Sequence, residues 1–468
     1  MTARIRIAAG GWDELSSHLL REDGKEHVAF LPTVFREVEN ELELLAGAPI
    51  LIPDSDLVGG PAKDYLELKL EALLRVVNEA VGKGVGLVEV HNHPGAEAPA
   101  RFSPADHAGF RRVVPYMLRS LPVGFYGALV LGGPDNVDGV VWSAKEERPI
   151  PLETVEAVGR NRVVLRTTSA PPVEGRSVGE DALEHFDRQV RAFGADGQAK
   201  LNALRVGIVG VGGLGSIVVE QLIRSGVGSV VLVDPDRVEE SNLSRVALTR
   251  PEDVGRLKVE VMRERILSLD PGARVQAIPS SVCAEEALRA LSRVDVLLGC
   301  TDNSSSRFAL NEIALRFLRP YLDLGSEIHT ADGKLSSCGG RFTFTLPGAG
   351  CLLCAMAIDP CDAASEFRPQ EAREADIRAG YIQGSEEPAP AVMSLNGVVA
   401  SLGVFELQAW ATGIRQVESQ SFFDAASGEV RRVATAANKT CLACAEHLGR
   451  GGLEELISRY VAFTVSRP

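Results

Sequence analysis

Four of the eight cysteines fall in two Cys-x-x-Cys pairs, Cys351 with Cys354 and Cys441 with Cys444. Each pair can offer two thiolates from one tight turn, and four thiolates complete a tetrahedral zinc site that has no open position. In a reducing compartment this spacing favours a metal over a disulfide. The pairs therefore predict a structural zinc ion; the alternative is two unrelated thiol pairs or a redox-active pair.

A second group of metal-binding side chains begins in the segment GLVEVHNHPG. His91 and His93 alternate along a predicted strand, so both face the same side of it, and Asp106 follows farther along. Two imidazoles and a carboxylate are three ligands of a catalytic zinc ion, with a fourth position left for water. The alternatives are two exposed histidines at a strand end and a capping box from Ser103 to Asp106, which is compatible with zinc binding.

A glycine-rich loop follows the apolar segment LRVGIV and precedes a predicted helix. Glycines in this position let the backbone approach a phosphate or a ribose, and the helix N-terminus favours anions. Asp234 ends the next predicted strand, where a carboxylate can hold a ribose hydroxyl. By these residues alone, a nicotinamide-dependent dehydrogenase fits equally well. The glycines of the loop are Gly210, Gly212, Gly213 and Gly215.

Further motifs surround this loop: FDRQ before the first strand, DPD after the second, then SNLSR, GRLK and CTDN. In this order they resemble the ubiquitin-activating superfamily, which includes the ThiF/MoeB-like adenylyltransferases of molybdopterin and thiamine synthesis. The resemblance implies an ATP site with the ribose on Asp234 and Mg²⁺ on Asp302. It also implies a homodimer, because Arg188 matches a family arginine that reaches the ATP of the neighbouring subunit. The other residues implied for the ATP site are Asp236, Asn242, Arg245 and Lys258.

The chemistry of adenylation agrees with this resemblance. A carboxylate must attack the α-phosphate of ATP, and because both reactants are anionic the site must supply cations and hold the groups in line. Arg188, Arg245, Lys258 and a metal-binding Asp302 meet that need. The alternatives are surface ion pairs for the arginines and a helix N-cap for Asp302.

Some relatives transfer the activated protein to a cysteine in their crossover region. Cys361, in IDPCDAA, is the corresponding candidate here. The acidic neighbours Asp359 and Asp362 disfavour a thiolate at that position, and a buried or incidental cysteine is the alternative.

The histidine motif has a resemblance of its own. An upstream glutamate, H-x-H-P and S-x-x-D are similar to the JAB/JAMM metalloproteases, which cleave ubiquitin-like proteins from isopeptide bonds or trim their tails. The resemblance implies Glu26 as the general base and Ser103 as a group that steadies the oxyanion or the zinc water. The spacing from His93 to Ser103 is longer than in the family pattern, so the intervening loop must bulge. Three other glutamates compete with Glu26 for the role of base: Glu37, Glu39 and Glu41.

These residues need two different scaffolds. From about Ala182, apolar strands alternate with helices, which predicts a Rossmann-like, doubly wound parallel α/β sheet at 182–468. Residues 1–165 are expected to form an α/β JAB/JAMM domain of cytidine-deaminase-like fold. The intervening 166–181 are rich in Pro, Ser, Thr and Gly and are predicted to be a linker. The polar run 362–390 is predicted to be a mobile crossover loop or lid.

The composition restricts the partners and the location. A net charge of −14 and a pI near 5.2 argue against nucleic acid and anionic membranes. The apolar run from Val392 to Ala411 is interrupted by Glu406, so it is predicted to be a buried helix. The N-terminus lacks the apolar core of a signal peptide. We therefore expect a cytoplasmic protein.

Together the motifs predict an enzyme with two activities. One activity adenylates the C-terminal glycine of a ubiquitin-like protein, and the other, a JAMM peptidase, processes or deconjugates the same protein in a bacterial conjugation pathway. Such a pathway would also involve a ubiquitin-conjugating-like carrier enzyme. The alternatives are sulfur-carrier activation for cofactor synthesis and a catalytically degenerate scaffold. The expected cofactors are ATP, Mg²⁺ and two zinc ions, one catalytic and one structural.

Overall fold

The computed structural model describes residues 1–61, 66–95, 99–170, 185–331, 334–368 and 390–464. The chain divides into two compact units: Met1–Glu174 with Leu448–Gly451, and Gly175–His447 with Gly452–Pro468. Among the described residues, no helix combines the length and apolarity needed to cross a membrane.

The described residues of the first unit form one sheet and three α-helices. Its described strands are β1 (Thr2–Ala8), β2 (Val28–Val38), β3 (Glu41–Ala46), β4 (Ile50–Leu51), β5 (Gly86–Asn92), β6 (Phe125–Gly133), β7 (Asn136–Ser143), β8 (Ile150–Val158) and β9 (Val163–Arg166). Its described helices are α1 (Ala9–Leu19), α2 (Leu70–Lys83) and α3 (Pro104–Ser120). The strand order is β1-β3-β2-β5-β6-β7-β8-β9, and β1 also pairs with β8, which closes seven of the strands into a ring.

Alternate residues of these strands supply two separate apolar cores. In β2, Ala29 and Leu31 lie in one core, whereas Val28 and Phe30 lie in the other, which α2 and α3 cover. Because side chains alternate across a strand, a strand buried on both faces is apolar at every position, as β2 is over 28–31. The strand β5 ends at the polar residue Asn92, and His91 is the residue before it.

The second unit is a larger mixed sheet. Its described strands are β10 (Arg205–Val209), β11 (Ser229–Val233), β12 (Arg274–Ile278), β13 (Val296–Gly299), β14 (Tyr321–Ala331), β15 (Lys334–Thr345), β16 (Gln420–Asp424) and β17 (Glu429–Val433). Its described helices are α4 (Asp187–Ala203), α5 (Gly213–Arg224), α6 (Lys258–Leu269), α7 (Glu285–Leu291), α8 (Ser304–Arg316), α9 (Pro360–Glu366), α10 (Met393–Thr412), α11 (Leu442–His447) and α12 (Leu453–Thr464).

The strand order of this sheet is β12-β11-β10-β13-β14-β15-β16-β17. The pairs from β12 to β14 are all parallel, which confirms the predicted Rossmann-like sheet. The remaining pairs, from β14 to β17, are antiparallel, an extension that the alternation of strands and helices does not indicate. The chain runs outward from β10 to β12 and then returns to β13 on the other side of β10. Ligands of such sheets bind where the strand order reverses in this way, at the carboxyl ends of the strands.

Two segments of the sequence prediction need comment. Arg166 belongs to β9, and Thr167 is buried with its hydroxyl bonded to the carbonyl of Leu152, so the predicted linker begins later than residue 166. Positions 171–181 of that linker, and 369–389 of the predicted crossover loop, lie outside the described residues. The predicted buried helix at Val392–Ala411 is confirmed as α10.

Candidate functional site

The glycine loop lies between β10 and α5, and its shape depends on two of its glycines. Gly210 has φ +86°, and a Cβ there would lie 2.6 Å from the carbonyl oxygen of Cys300. A Cβ on Gly215 would overlap the carbonyl oxygen of Gly210. A Cβ on Gly212, in contrast, would meet no atom within 4 Å. The loop therefore turns tightly against the end of β13 and leaves open space at Gly212, beside the N-terminus of α5.

Asp234 follows β11 and braces the loop. Its two carboxylate oxygens accept hydrogen bonds from the backbone N–H of Val211 (2.7 Å) and of Asp236 (2.8 Å). Burial raises the pKa of Asp234, and the nearby ammonium of Lys258 opposes that effect. Lys258, at the first position of α6, donates from Nζ to Asp236 at 2.8 Å. These residues gather a cation and two carboxylates beside the glycines.

Asn242 and Arg245 lie on the connection between β11 and α6. Asn242 is buried, and its Oδ1 accepts no hydrogen bond from the described residues. The side chain of Arg245 lies against Gly213, with Cγ 3.4 Å from the position of a Cβ there. Ser216 of α5 holds this connection in place by accepting the backbone N–H of Ala247 at 2.9 Å. Arg245 is thus fixed at the opening of α5, where phosphate groups would lie.

Asp302 follows β13 and is exposed. The alternative interpretation, in which Asp302 caps the following helix, is wrong: Asn303 is the N-cap of α8 and accepts the backbone N–H of Ser306 at 2.8 Å. The carboxylate of Asp302 accepts a long hydrogen bond from Nδ2 of Asn303 at 3.4 Å and is otherwise exposed, so it can still bind a metal ion. The next backbone N–H groups, of Ser304 and Ser305, donate to the carboxylate of Glu366 at 3.2 and 2.7 Å.

Arg188 and Cys361 are placed apart from this set. Arg188 is 96% exposed in α4 and lies 4.0 Å from Asp187. Cys361 is exposed in α9, and its backbone N–H donates to Asp359. Among the described residues, neither makes a hydrogen bond or ion pair with the glycine loop, Asp234 or Lys258. The structure thus brings together the loop, the two carboxylates after β11, Arg245 and Lys258 at one edge of the sheet, with Asp302 at the end of the neighbouring strand.

The four cysteines of the Cys-x-x-Cys pairs converge. Their sulfurs lie 3.9 Å apart from Cys351 to Cys354, 3.8 Å from Cys351 to Cys441 and 3.7 Å from Cys354 to Cys444. A tetrahedron of sulfurs around zinc with Zn–S bonds of about 2.3 Å has edges of about 3.8 Å, whereas a disulfide needs about 2.05 Å. The hydrogen bond from Cys444 lowers the pKa of Cys351 to about 5. The pKa values of Cys441 and Cys444 are raised in turn, the first by burial and the second by its neighbour Cys351, so the sulfur spacing is the observation that fits a zinc ion.

His91, His93 and Asp106 converge in the first unit, with their ligand atoms within 4.8 Å of one another. Nε2 of His93 lies 3.2 Å from Asp106, and Nε2 of His91 lies 3.5 Å from it. The buried Nε2 of His91 makes no hydrogen bond with the described residues, so it can bind a metal. Burial lowers the pKa of His91, but Asp106 and Glu89 outweigh burial and raise it to about 10. The donor set fits zinc.

α3 positions Asp106 through its N-terminus. Ser103 is the N-cap, and the capping box of the alternative interpretation is present: the Ser103 hydroxyl accepts from the backbone N–H of Asp106 at 3.1 Å, and the Asp106 carboxylate accepts from the backbone N–H of Ser103 at 2.6 Å. The carboxylate that caps α3 is therefore the same one that lies beside the histidines, which leaves Asp106 little freedom to turn away from them.

Among Glu26 and its three competitors from the sequence, Glu26 is the glutamate that reaches this group. Its Oε1 lies 4.0 Å from Nε2 of His93, and its side chain is 12% exposed. The competing Glu37, Glu39 and Glu41 lie in and between β2 and β3, and Glu41 pairs with Arg4 at 3.2 Å. Proximity thus favours Glu26.

Sequence reasoning missed three polar residues beside these groups. Glu89 lies 3.6 Å from Nδ1 of His91 and accepts from the hydroxyl of Tyr126 at 2.7 Å. Asn92 lies between the two histidines, and its side chain bonds the segment next to Glu26. Asn396, in α10, lies against Gly213 and accepts from Ser326 at 2.6 Å. Glu89 and Asn396 are polar residues that interrupt apolar segments, a signal present in the sequence, whereas Asn92 is hidden between two histidines.

Comparison with known proteins adds relatives of the second unit. A curated relative, the "Sulfur carrier protein adenylyltransferase" of Thermus thermophilus, is 37% identical over 159 residues, which is 34% of this chain and 58% of that protein. The "Probable adenylyltransferase/sulfurtransferase MoeZ" of Mycobacterium tuberculosis is 32% identical over 174 residues, or 36% of this chain and 44% of that protein. The chain thus spans about half the length of these curated relatives.

Solved structures include a distant likeness. The crystal structure of E. coli MccB with succinimide has a TM-score of 0.45 and 21% identity, covering 56% of this chain and 74% of that one. The model of the ThiF family matches residues 186–443. This range contains β10 to β17 and every residue assigned above to the ATP site. Because this match covers more than half of the 468 residues, the chain belongs to the ThiF family.

Proposed function

We propose that the second unit uses Mg·ATP to adenylate the C-terminal glycine of a small, ubiquitin-like sulfur-carrier protein. The observation that carries this proposal is the convergence of the glycine loop, Arg245 and Lys258 where the strand order reverses. A nucleotide bound there would place its phosphates at the N-terminus of α5. The second unit, from the glycine-loop sheet to the Cys₄ group, would form one adenylation domain, and the first unit a separate one.

The reaction divides among these residues as follows. A carboxylate oxygen of the carrier tail bonds the α-phosphorus of ATP as the bond to pyrophosphate breaks, so negative charge accumulates between two anions. Lys258 and Arg245 neutralise that charge, and the N–H groups at the start of α5 hold the phosphates. Asp234 would hold the ribose hydroxyls and Asp302 the Mg²⁺ ion, which neutralises part of the triphosphate charge. Asp236 keeps Lys258 extended.

The choice of a sulfur carrier rests on the relatives. Those of Thermus thermophilus and Mycobacterium tuberculosis bear names that refer to a sulfur carrier or a sulfurtransferase, which favours this substrate over one used in protein conjugation. The exposure of Arg188 supports a homodimer in which this arginine serves the partner's nucleotide. We propose Cys361, which is exposed, as the acceptor thiol if the acyl group passes to the enzyme.

The test is ATP–pyrophosphate exchange with purified full-length chain and ubiquitin-like proteins that end in Gly-Gly, each paired with a version lacking the last glycine. We expect exchange with an intact tail and none with the shortened one. Sulfide is then added, and intact mass shows whether sulfur replaces a carboxylate oxygen. A covalent bond between the carrier and a target lysine would instead support conjugation. The absence of exchange with every carrier tested would support a catalytically inactive scaffold.

A second activity is supported by the first unit. We propose that it hydrolyses the bond that follows the glycine tail of the same protein, with His91, His93 and Asp106 holding a zinc ion. When bound, zinc supplies Lewis-acid activation of water and of the scissile carbonyl. Glu26, next to His93, would accept and return the proton, and the hydroxyl of Ser103, which accepts the backbone N–H of Asp106, would donate its own proton to steady the oxyanion.

The peptidase is tested with a carrier protein fused through its Gly-Gly tail to a short peptide. We expect cleavage directly after the tail by the zinc-loaded chain and a loss of at least about 100-fold in Glu26→Gln, the usual contribution of a general base. Glu37→Gln is the matched control and should cleave normally. Equal rates for wild type and Glu26→Gln would contradict the assignment.

A further inference from the structure

Asn92 separates the two histidines of the proposed zinc site, yet it cannot be a ligand. Successive side chains of a strand point to opposite faces, so Asn92 faces away from the side that His91 and His93 share. It is buried to 1% exposure. A buried polar side chain of this kind is costly unless its hydrogen bonds are satisfied, so its partners indicate its role.

Those partners lie on either side of Glu26. The side-chain Oδ1 of Asn92 accepts the backbone N–H of His27 at 2.6 Å, and its Nδ2 donates to the carbonyl of Lys25 at 3.1 Å. The backbone N–H of Asn92 also donates to the carbonyl of His27 at 3.4 Å. The amide orientation is self-consistent, because turning it over would set donor against donor and acceptor against acceptor. One side chain thus brackets Glu26 from both neighbours.

The bracketed segment lies just outside the sheet. The strand β2 begins at Val28, which pairs with His91, so residues 25–27 lie beyond the paired strand and are tied to β5 by the three hydrogen bonds of Asn92. The ring of His27 is buried, and its Nε2 lies 3.1 Å from both carboxylate oxygens of Asp23, which closes the turn on the other side. Asn92 is therefore the link between this turn and the strand that carries the histidines.

We propose that Asn92 is a positioning residue for the peptidase reaction: it fixes the backbone on both sides of Glu26 and so holds that carboxylate beside His93. The inference rests on the peptidase function proposed above. It predicts that loss of the Asn92 amide displaces Glu26, while His91 and His93 on the opposite side of the chain and Asp106 at the start of α3 stay in place.

The first experiment compares Asn92→Ala with wild type on the Gly-Gly fusion substrate. We expect kcat to fall about 10- to 100-fold, the range for groups that orient a catalytic residue, with KM and zinc content unchanged. In a Glu26→Gln background the same substitution should cost almost nothing, because both changes remove one function. Asn92→Asp keeps the acceptor for His27 and loses the donor to Lys25, so its kcat should lie between those of wild type and Asn92→Ala. It also provides the test if Asn92→Ala does not fold.

Hydrogen exchange supplies a readout that is independent of activity. The amide of His27 should lose protection in Asn92→Ala, with the amides of β6 unchanged. Thr33→Val is the matched control, since it removes a buried hydrogen bond from β2 at a distance from Glu26; it should leave kcat and the His27 amide as in wild type.

The outcomes separate the two levels of the argument. Fusion cleavage by wild type with an unchanged kcat in Asn92→Ala, or additive losses in the double variant, would overturn the positioning role alone. Loss of zinc from Asn92→Ala would overturn it too, because the residue would then support the ligands. A zinc-loaded wild type that cleaves no fusion would remove the peptidase function and this role with it.

Discussion

Substitution of Cys444 by alanine tests the Cys₄ zinc site quantitatively. The four sulfurs bring together segments 90 positions apart. A link that closes a loop of that length removes about 4.6 kcal/mol of conformational free energy from the unfolded chain, by the relation used for disulfides. We therefore expect the second unit of Cys444→Ala to be less stable by about that amount. For a unit of this size the melting temperature should fall by about 10 °C.

The assay combines zinc analysis with thermal unfolding. Wild type should contain two zinc ions per chain, and Cys444→Ala should contain one. Treatment of wild type with a strong chelator should lower the melting temperature of the second unit as the substitution does. Cys361→Ala is the control, because it removes an exposed thiol outside the cluster; it should keep both zinc ions and its stability.

Two results would refute this reasoning. Cys444→Ala with two zinc ions and an unchanged melting temperature would show that these cysteines bind no metal. A wild-type chain whose mass decreases on oxidation of each pair, with no bound zinc, would show disulfides in place of the metal.

Four further predictions concern the two sites. Lys258→Ala should lower the rate of ATP–pyrophosphate exchange by at least about 100-fold, because a positive charge that stabilises the transition state is lost. The melting temperature should hardly change, because its partner Asp236 is 62% exposed. Lys200→Ala, which removes an exposed ion pair with Asp196, is the control and should leave exchange intact. Gly215→Ala should unfold the loop and abolish ATP binding measured by calorimetry, since its Cβ would overlap Gly210, whereas Gly212→Ala, which faces open space, should fold normally; equal behaviour of the two would contradict the loop geometry. Zinc uptake by metal-free protein at pH 8 should release a proton from His91, whose pKa is raised from 6.5 to about 10, as calorimetry in buffers of different ionisation enthalpy would show. Because the pKa of His91 is raised in the folded state, protonated His91 stabilises the metal-free protein. This contribution is complete below about pH 6.5 and is lost as the pH approaches about 10. A melting temperature that rises between these pH values would contradict the prediction.

The sequence predicted best what is local. The glycine loop, Asp234 and the two Cys-x-x-Cys pairs are short patterns, and their spacing alone sets which atoms can meet. Asn396 lies beside Gly213, and Glu366 lies beside the start of α8. Both come from distant parts of the chain, so sequence spacing could not predict these contacts. The N-cap of α8 illustrates a different limit: Asp302 and Asn303 are adjacent and both suit the role, so only the backbone geometry decides between them.

Patterns also failed where the sheet changes character. Strands β15 to β17 are antiparallel; β15 begins with polar, exposed residues, and β16 and β17 are short and partly polar, so they resemble loops more than buried strands. In the first unit, the closure of β1 on β8 depends on residues about 150 positions apart, beyond any local rule. The choice of Glu26 over Glu37 likewise depended on which segment returns to the histidines.

The two-sided burial of β2 and β5 has a consequence for folding. In most sheets a slip by one residue moves apolar side chains into water, and this penalty fixes the pairing. Here both faces are apolar, so a slipped alignment of β2 on β5 would lose little burial. The few polar side chains at the strand ends therefore distinguish the native alignment from a slipped one. Asn92 can accept the hydrogen bond from the backbone of His27 in only one alignment. The Asn92 amide, beside His91 and His93, therefore distinguishes the native register during refolding, and misaligned species should accumulate when it is removed.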